Sequence, residues 1–113
     1  MPGNHEEFLP YGRQNITEDD IDEVVKTLKS DYLTQGPRIE EFENKFAKKV
    51  NASYAVAVNS ATSGLHIAYK ALGLSKGKIL WTSPISFVAT SNAAMYCGAQ
   101  VDFVDINLYT GLL

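Results

Sequence analysis

One stretch, 54–72 (YAVAVNSATSGLHIAYKAL), constrains this chain more than any other. Tyr54-Ala55-Val56-Ala57-Val58 is a short apolar run with β-branched residues, which predicts a buried strand. It leads directly into Asn59-Ser60-Ala61-Thr62-Ser63-Gly64, a cluster of small helix-capping residues. Leu65, Ala68, Tyr69 and Leu72 then recur at the i, i+3, i+4, i+7 spacing of one helix face. A strand that ends in small polar residues and opens a helix leaves backbone N–H groups pointing out of the helix amino end. With the helix dipole, these donors favour an anion. Small side chains let a phosphate approach the backbone, and the hydroxyls add donors. An ordinary N-cap on a core helix would carry the same residues, so the flanking chain has to decide.

Composition narrows the classes. The 113 residues are 45% hydrophobic and 20% charged, an ordinary globular balance long enough for one small domain or part of a larger one. The net charge of −3 and the absence of a basic stripe argue against nucleic acid as a partner. No apolar run approaches the length of roughly 20 residues that a membrane helix needs. The first ten residues are polar and acidic, unlike a signal or transit peptide. Cys97 is the single cysteine, which rules out an internal disulfide and fits a reducing, cytoplasmic compartment. The two histidines, His5 and His66, share no ligand spacing, so no metal site is expected.

In chain order, residues 1–15 read as an irregular lead with Pro10 and Gly12 as breakers. Thr17 with Asp20 forms a capping-box pattern, followed by Ile21, Val24, Val25 and Leu28 on one helix face. Ser30 to Pro37 is a loop that mixes an aromatic, hydroxyls and an amide, suited to hydrogen-bonding a polar ligand or simply to connecting. A second helix is expected from about Arg38 to Val50, burying Ile39, Phe42, Phe46, Ala47 and Val50. After the 54–72 unit, Lys78 to Thr82 predicts a strand with Trp81 in the core. A helix follows over roughly Ser86 to Cys97, and Gln100 to Asp105 is a third strand. The order α, α, β, α, β, α, β predicts an α/β fold, with a mainly parallel sheet and helices on both faces. Residues 16–113 stop soon after a strand, which fits the incomplete N-terminal part of a larger domain.

Two nucleotide motifs are missing. The loop after Val58 has one glycine, Gly64, and lacks G-x-G-x-x-G; no Walker G-x-x-x-x-G-K-[ST] occurs either. Phe87 lies just beyond a strand end, where open α/β sheets bind ligands, and an aromatic there suits stacking on a flat ring or packing in the core.

Leu33-Thr34-Gln35-Gly36, Asn59-Ser60-Ala61-Thr62-Ser63 and Thr82-Ser83-Pro84-Ile85-Ser86-Phe87-Val88-Ala89-Thr90-Ser91-Asn92, in this order, resemble the DegT/StrS-type sugar aminotransferases. These are fold-type I enzymes that use pyridoxal 5'-phosphate (PLP) to aminate nucleotide-linked keto-sugars. The likeness runs from about Tyr11 to Asp105 and leans to the branch that aminates UDP-linked 4-keto-6-deoxy sugars in pseudaminic acid synthesis. The resemblance implies that Ala61, Thr62 and Ser63 hold the PLP phosphate and that Phe87 stacks on the pyridine ring. It also implies that Tyr11, Asp31, Tyr32, Leu33 and Thr34, with Ala61, line the nucleotide-sugar side. It further implies a homodimer and glutamate as amino donor.

Transamination also needs a lysine that carries the cofactor and a carboxylate on the pyridine nitrogen. The resemblance puts both downstream of the matched region. The lysines here read as helix-face or turn residues: Lys26, Lys45, Lys48 and Lys49 on amphipathic helices, Lys70 within the 61–72 helix, Lys76 and Lys78 at a turn. The expectation is an N-terminal fragment of such an enzyme, inactive alone. The alternative is a short non-catalytic α/β module that binds a phosphorylated ligand or a full-length partner.

Overall fold

The computed structural model describes Pro10 and residues 12–113, so Tyr11 and the first nine residues lie outside the described residues. The chain divides into two compact units, Met1–Ala55 and Val56–Leu113.

The first unit holds two helices, α1 (Glu18–Leu28) and α2 (Pro37–Lys49). The start of α1 is fixed by the capping box read from the sequence. Thr17 N donates to Asp20 Oδ2 at 2.8 Å, and the Thr17 hydroxyl accepts from Asp20 N at 3.4 Å. Proline at the first position of α2 needs no amide partner there, which suits a helix that begins on Gly36 without a side-chain cap. The carboxyl end of α2 closes in a Schellman motif. Asn51 takes φ 55°, Asn51 N donates to Lys48 O at 3.3 Å, and Ala52 N donates to Ala47 O at 2.9 Å. Arg38 links the two helices through Glu23 at 3.5 Å and also pairs with Glu41 at 3.0 Å.

The expected buried face of α2 is only partly buried. Ala47 is 7% exposed, whereas Ile39, Phe42, Phe46 and Val50 remain near half exposed. The phenyl rings of Phe42 and Phe46 stack on each other at 5.9 Å. Helical periodicity says which face is apolar; it carries no information on what covers that face.

The second unit holds α3 (Ala61–Ala71), β1 (Ile79–Thr82), α4 (Ala89–Tyr96) and β2 (Gln100–Phe103). The strands pair in parallel, with Ile79 opposite Gln100 and Thr82 opposite Phe103, so this is an α/β unit with α4 as the crossover. Backbone bonds from Gln100 N to Lys78 O and from Val104 N to Thr82 O, both 2.9 Å, extend the ladder at each end. Helix α4 packs on both strands and on α3. Its inner face is made of small residues: Ala89, Ala93, Ala94 and Cys97 are all buried, with Ala99 beside them. Small side chains bring helix and sheet close together at the cost of little apolar area per residue.

Helices α3 and α4 stop alike, each in a Schellman motif on a left-handed glycine. Gly73 N donates to Lys70 O and Leu74 N to Tyr69 O, both at 2.9 Å; Gly98 N donates to Met95 O at 2.8 Å and Ala99 N to Ala94 O at 3.1 Å.

Three expectations need correction. Residues 54–58 are not a strand of the described sheet, whose ladder joins only β1 and β2. An apolar β-branched run predicts extended backbone, but a strand exists only where a neighbouring ladder does. Trp81 is 68% exposed and so is not core; its side chain stands on the uncovered side of a four-residue strand. Helix α4 begins at Ala89 rather than Ser86, because the Ser86 hydroxyl lies 3.5 Å from Thr90 Oγ1 and caps no backbone amide.

Candidate functional site

The amino end of α3 is built as the sequence suggests. Ser60 is the N-cap, in extended backbone, and its hydroxyl accepts Ser63 N at 3.2 Å. Ser63 Oγ donates to Asn59 Oδ1 at 2.9 Å and stands 2.9 Å from Ser60 Oγ. The first intrahelical bond runs from Gly64 N to Ser60 O at 3.1 Å. The amides of Ala61 and Thr62, and the Thr62 hydroxyl, have no partner among the described residues. Ala61 is exposed, and Thr62 and Ser63 are half-buried. Gly64 lets the turn sit on the end of the preceding apolar run, since a Cβ there would come within 3.3 Å of Val58 Cγ2.

At the carboxyl ends of β1 and β2, a cavity of about 170 Å³ is lined by Thr82, Ser83, Ser86, Phe87, Thr90 and Phe103, among others. This is where ligands sit in open α/β sheets. Ser83 Oγ accepts Ile85 N at 3.0 Å, which turns the chain after β1, and Ser91 Oγ donates to Val88 O at 2.9 Å in the first turn of α4. Between these fixed points Phe87 is held 76% exposed. Phe103 enters the cavity wall because the register sets it opposite Thr82. Of the two rings in this set, the sequence marks only Phe87 as a ligand contact; the strand-end position of Phe103 is the available signal for the other.

Of the remaining expected site residues, Asp31, Tyr32, Leu33 and Thr34 lie in the exposed loop between α1 and α2 of the first unit, and Tyr11 lies outside the described residues. Also in that unit, a groove of about 430 Å³ runs between α1 and α2, past Val24, Leu28 and Phe42. Its charged residues satisfy one another: Glu23 pairs with Lys26, and Glu41 with Arg38 and Lys45. These partners hold both glutamates below the ordinary carboxylate range. The hydrogen bond from Lys26 is the largest cause for Glu23, and that from Lys45 for Glu41.

Elsewhere in the second unit, His66 is half-buried, consistent with a partly exposed helix residue. Its ring meets Tyr96 edge-on at 5.7 Å, and Nε2 is buried without a hydrogen-bond partner. Among the described residues no cluster of metal-ligating side chains occurs, and no helix is long and apolar enough to cross a membrane.

A capped helix start with open amides and a parallel strand pair joined by a helical crossover define an α/β protein. The chain belongs to the DegT/DnrJ/EryC1/StrS aminotransferase family, whose model matches residues 14–113. It is 47% identical over 99 residues to the UDP-4-amino-4,6-dideoxy-N-acetyl-beta-L-altrosamine transaminase of Campylobacter jejuni, covering 88% of this chain and 26% of that enzyme. Its fold is similar to a sugar aminotransferase of Streptococcus pneumoniae, Spr1654, in its PLP form. The TM-score is 0.83 at 30% identity, over 90% of this chain and 26% of that one. It is also similar to PseC of Helicobacter pylori, an aminotransferase of pseudoaminic acid biosynthesis, with TM-score 0.81 and 32% identity over 87% of this chain and 27% of that one. The chain spans about a quarter of the length of the curated relatives it matches.

These likenesses establish the fold-type I class and make pyridoxal phosphate the expected cofactor. The residues present fit its anionic end. Two amides and a hydroxyl without partners among the described residues at one helix start form a donor set that a phosphate satisfies.

Proposed function

We propose that this chain is the N-terminal part of an aminotransferase that moves an amino group, from glutamate, to a UDP-linked 4-keto-6-deoxy sugar in surface-glycan biosynthesis of the pseudaminic acid type. The observation that carries this reading is the family match over residues 14–113, joined to the open amides of Ala61 and Thr62. When bound, pyridoxal phosphate supplies an electron sink for moving the amino group.

In this reading both units belong to one PLP-binding large domain, after an irregular lead. Ala61, Thr62 and Ser63 anchor the phosphate, the first two through amides and the last through the capped turn it completes. Phe87 packs flat against the pyridine ring. Tyr11, Asp31, Tyr32, Leu33 and Thr34, with Ala61, contact the nucleotide-sugar. All eight lysines are exposed, and Lys26, Lys45 and Lys78 are tied to Glu23, Glu41 and the Gly73 carbonyl. In this reading none of the lysines carries the cofactor, and the chain alone does not turn over. The working enzyme is a cytoplasmic homodimer.

Ala61→Pro tests the anchor. Ser60 already has extended φ −158° and ψ 153°, as a residue before proline prefers, and the first helical position tolerates proline. The substitution therefore removes one N–H and little else. It should weaken PLP binding about tenfold or more, the worth of a hydrogen bond to a charged group, while leaving affinity for unphosphorylated pyridoxal unchanged. Equal loss for both compounds, or no loss for either, would reject the phosphate role.

A further inference from the structure

The loop that joins α1 to α2 is held more tightly than a connector requires. The Ser30 hydroxyl donates to Thr27 O at 2.8 Å, has Tyr32 O as a second acceptor at 3.2 Å, and accepts Tyr32 N at 3.4 Å. One side chain thus ties the end of α1 to the backbone of Tyr32. Gln35 takes φ 53°, a left-handed conformation uncommon for a side chain of its size. Gly36 then passes so close to Tyr32 that a Cβ on it would stand 2.6 Å from Tyr32 Cβ and 3.3 Å from Tyr32 O. Neither contact atom moves with a rotamer change, so any side chain at position 36 must displace the backbone of Tyr32. Across the loop's ends, Arg38 reaches Glu23 at 3.5 Å and keeps the two helices in register.

Within these 113 residues this tightness does not serve burial. Tyr32 is 61% exposed and Leu33 66% exposed, so the loop is fixed while its apolar side chains face outward. A backbone fixed to hold side chains away from the core is the arrangement of a preformed contact surface, in which ordering is complete before a ligand arrives.

We infer that Gly36 is a positioning residue. Its missing side chain seats Tyr32, and residues 31–34 thereby meet the nucleotide-sugar in a preset conformation. Gly36 acts through Tyr32 and need not touch the ligand. The inference rests on the substrate-side reading of residues 31–34 given above and adds the device that makes that loop competent.

The test uses the 15N-labelled chain with UDP-N-acetylglucosamine as the nucleotide-sugar probe and PLP as the control ligand. Gly36→Ala should shift the amide resonances of 30–36 and weaken the probe about tenfold, as expected if only a tenth of molecules keep the competent loop. PLP affinity and helix content should not change. Ser30→Ala, a milder release of Tyr32, should act in the same direction with a smaller loss, about threefold. Probe binding by Gly36→Ala equal to wild type, with the loop resonances moved, overturns the inference and leaves the substrate-side reading intact. Parallel loss of PLP affinity and helix content in both variants shows a general structural role and also overturns it. A wild-type chain that ignores the probe rejects the substrate-side reading itself, and the positioning role falls with it.

Discussion

The hydroxyl of Ser60 accepts the backbone N–H of Ser63 at 3.2 Å, and this bond divides the donors at the start of α3. The Ser63 amide is committed to the cap, while those of Ala61 and Thr62 face outward. Ser60→Ala removes the acceptor and should cost about 1 kcal/mol, the usual worth of a serine N-cap. Urea denaturation should show a lower midpoint with an unchanged slope; an unchanged midpoint would mean that the cap is dispensable.

The same device at the start of α1 carries a pH signature. Asp20 is held below the ordinary aspartate range, first by the hydrogen bond from Thr17 N and then by the Thr17 hydroxyl. A depressed carboxyl pKa stabilises the folded state above the unfolded-state value, and the gain disappears as pH falls through the folded value. The carboxyl resonance of Asp20 should therefore titrate below the ordinary aspartate range. Thr17→Ala should move the Asp20 midpoint upward only part of the way, since the backbone donor remains. A full return to the ordinary aspartate range would show that the hydroxyl, not the amide, dominates.

Gly98 ends α4 at φ +75°, and a Cβ there would meet only Lys76 N at 3.8 Å and Lys76 Cβ at 4.0 Å. Space is available, so the cost of Gly98→Ala is purely conformational, about 1–2 kcal/mol. Thermal unfolding should show the loss. Gly98→Asn should recover part of it, because asparagine tolerates the left-handed region better than alanine.

What could be read from the sequence follows from how far each signal reaches. Thr17 with Asp20 and the small-residue cluster at 59–64 act within a few residues, and each marks a helix start that the structure keeps to within one or two positions. The capped turn at the start of α3 belongs to this group, since its cap and open amides are all local. The burial of Trp81 and the strand at 54–58 depended on neighbours distant in sequence, and there the reading failed. Phe103 illustrates the same limit at the site: its place beside Phe87 follows from the β1–β2 register, which no local pattern specifies.

Phe87 separates ring recognition from phosphate recognition. At 76% exposure it contributes little to the core, so Phe87→Ala should alter stability by no more than about 0.5 kcal/mol. If its ring stacks on the cofactor, the same change should weaken binding by about 0.5–1.5 kcal/mol, up to roughly tenfold. The loss should be equal for PLP and for unphosphorylated pyridoxal, because the stacked ring is common to both. Phe87→Trp should retain affinity, since any aromatic face serves. Ala61→Pro has the opposite profile, affecting only the phosphorylated compound. The two variants combined should be additive, as one acts on the ring and the other on the phosphate. Equilibrium dialysis with the two ligands reads each of these affinities. A destabilised Phe87→Ala with unaltered ligand affinity would instead assign this side chain to packing against α4 and remove it from the cofactor site.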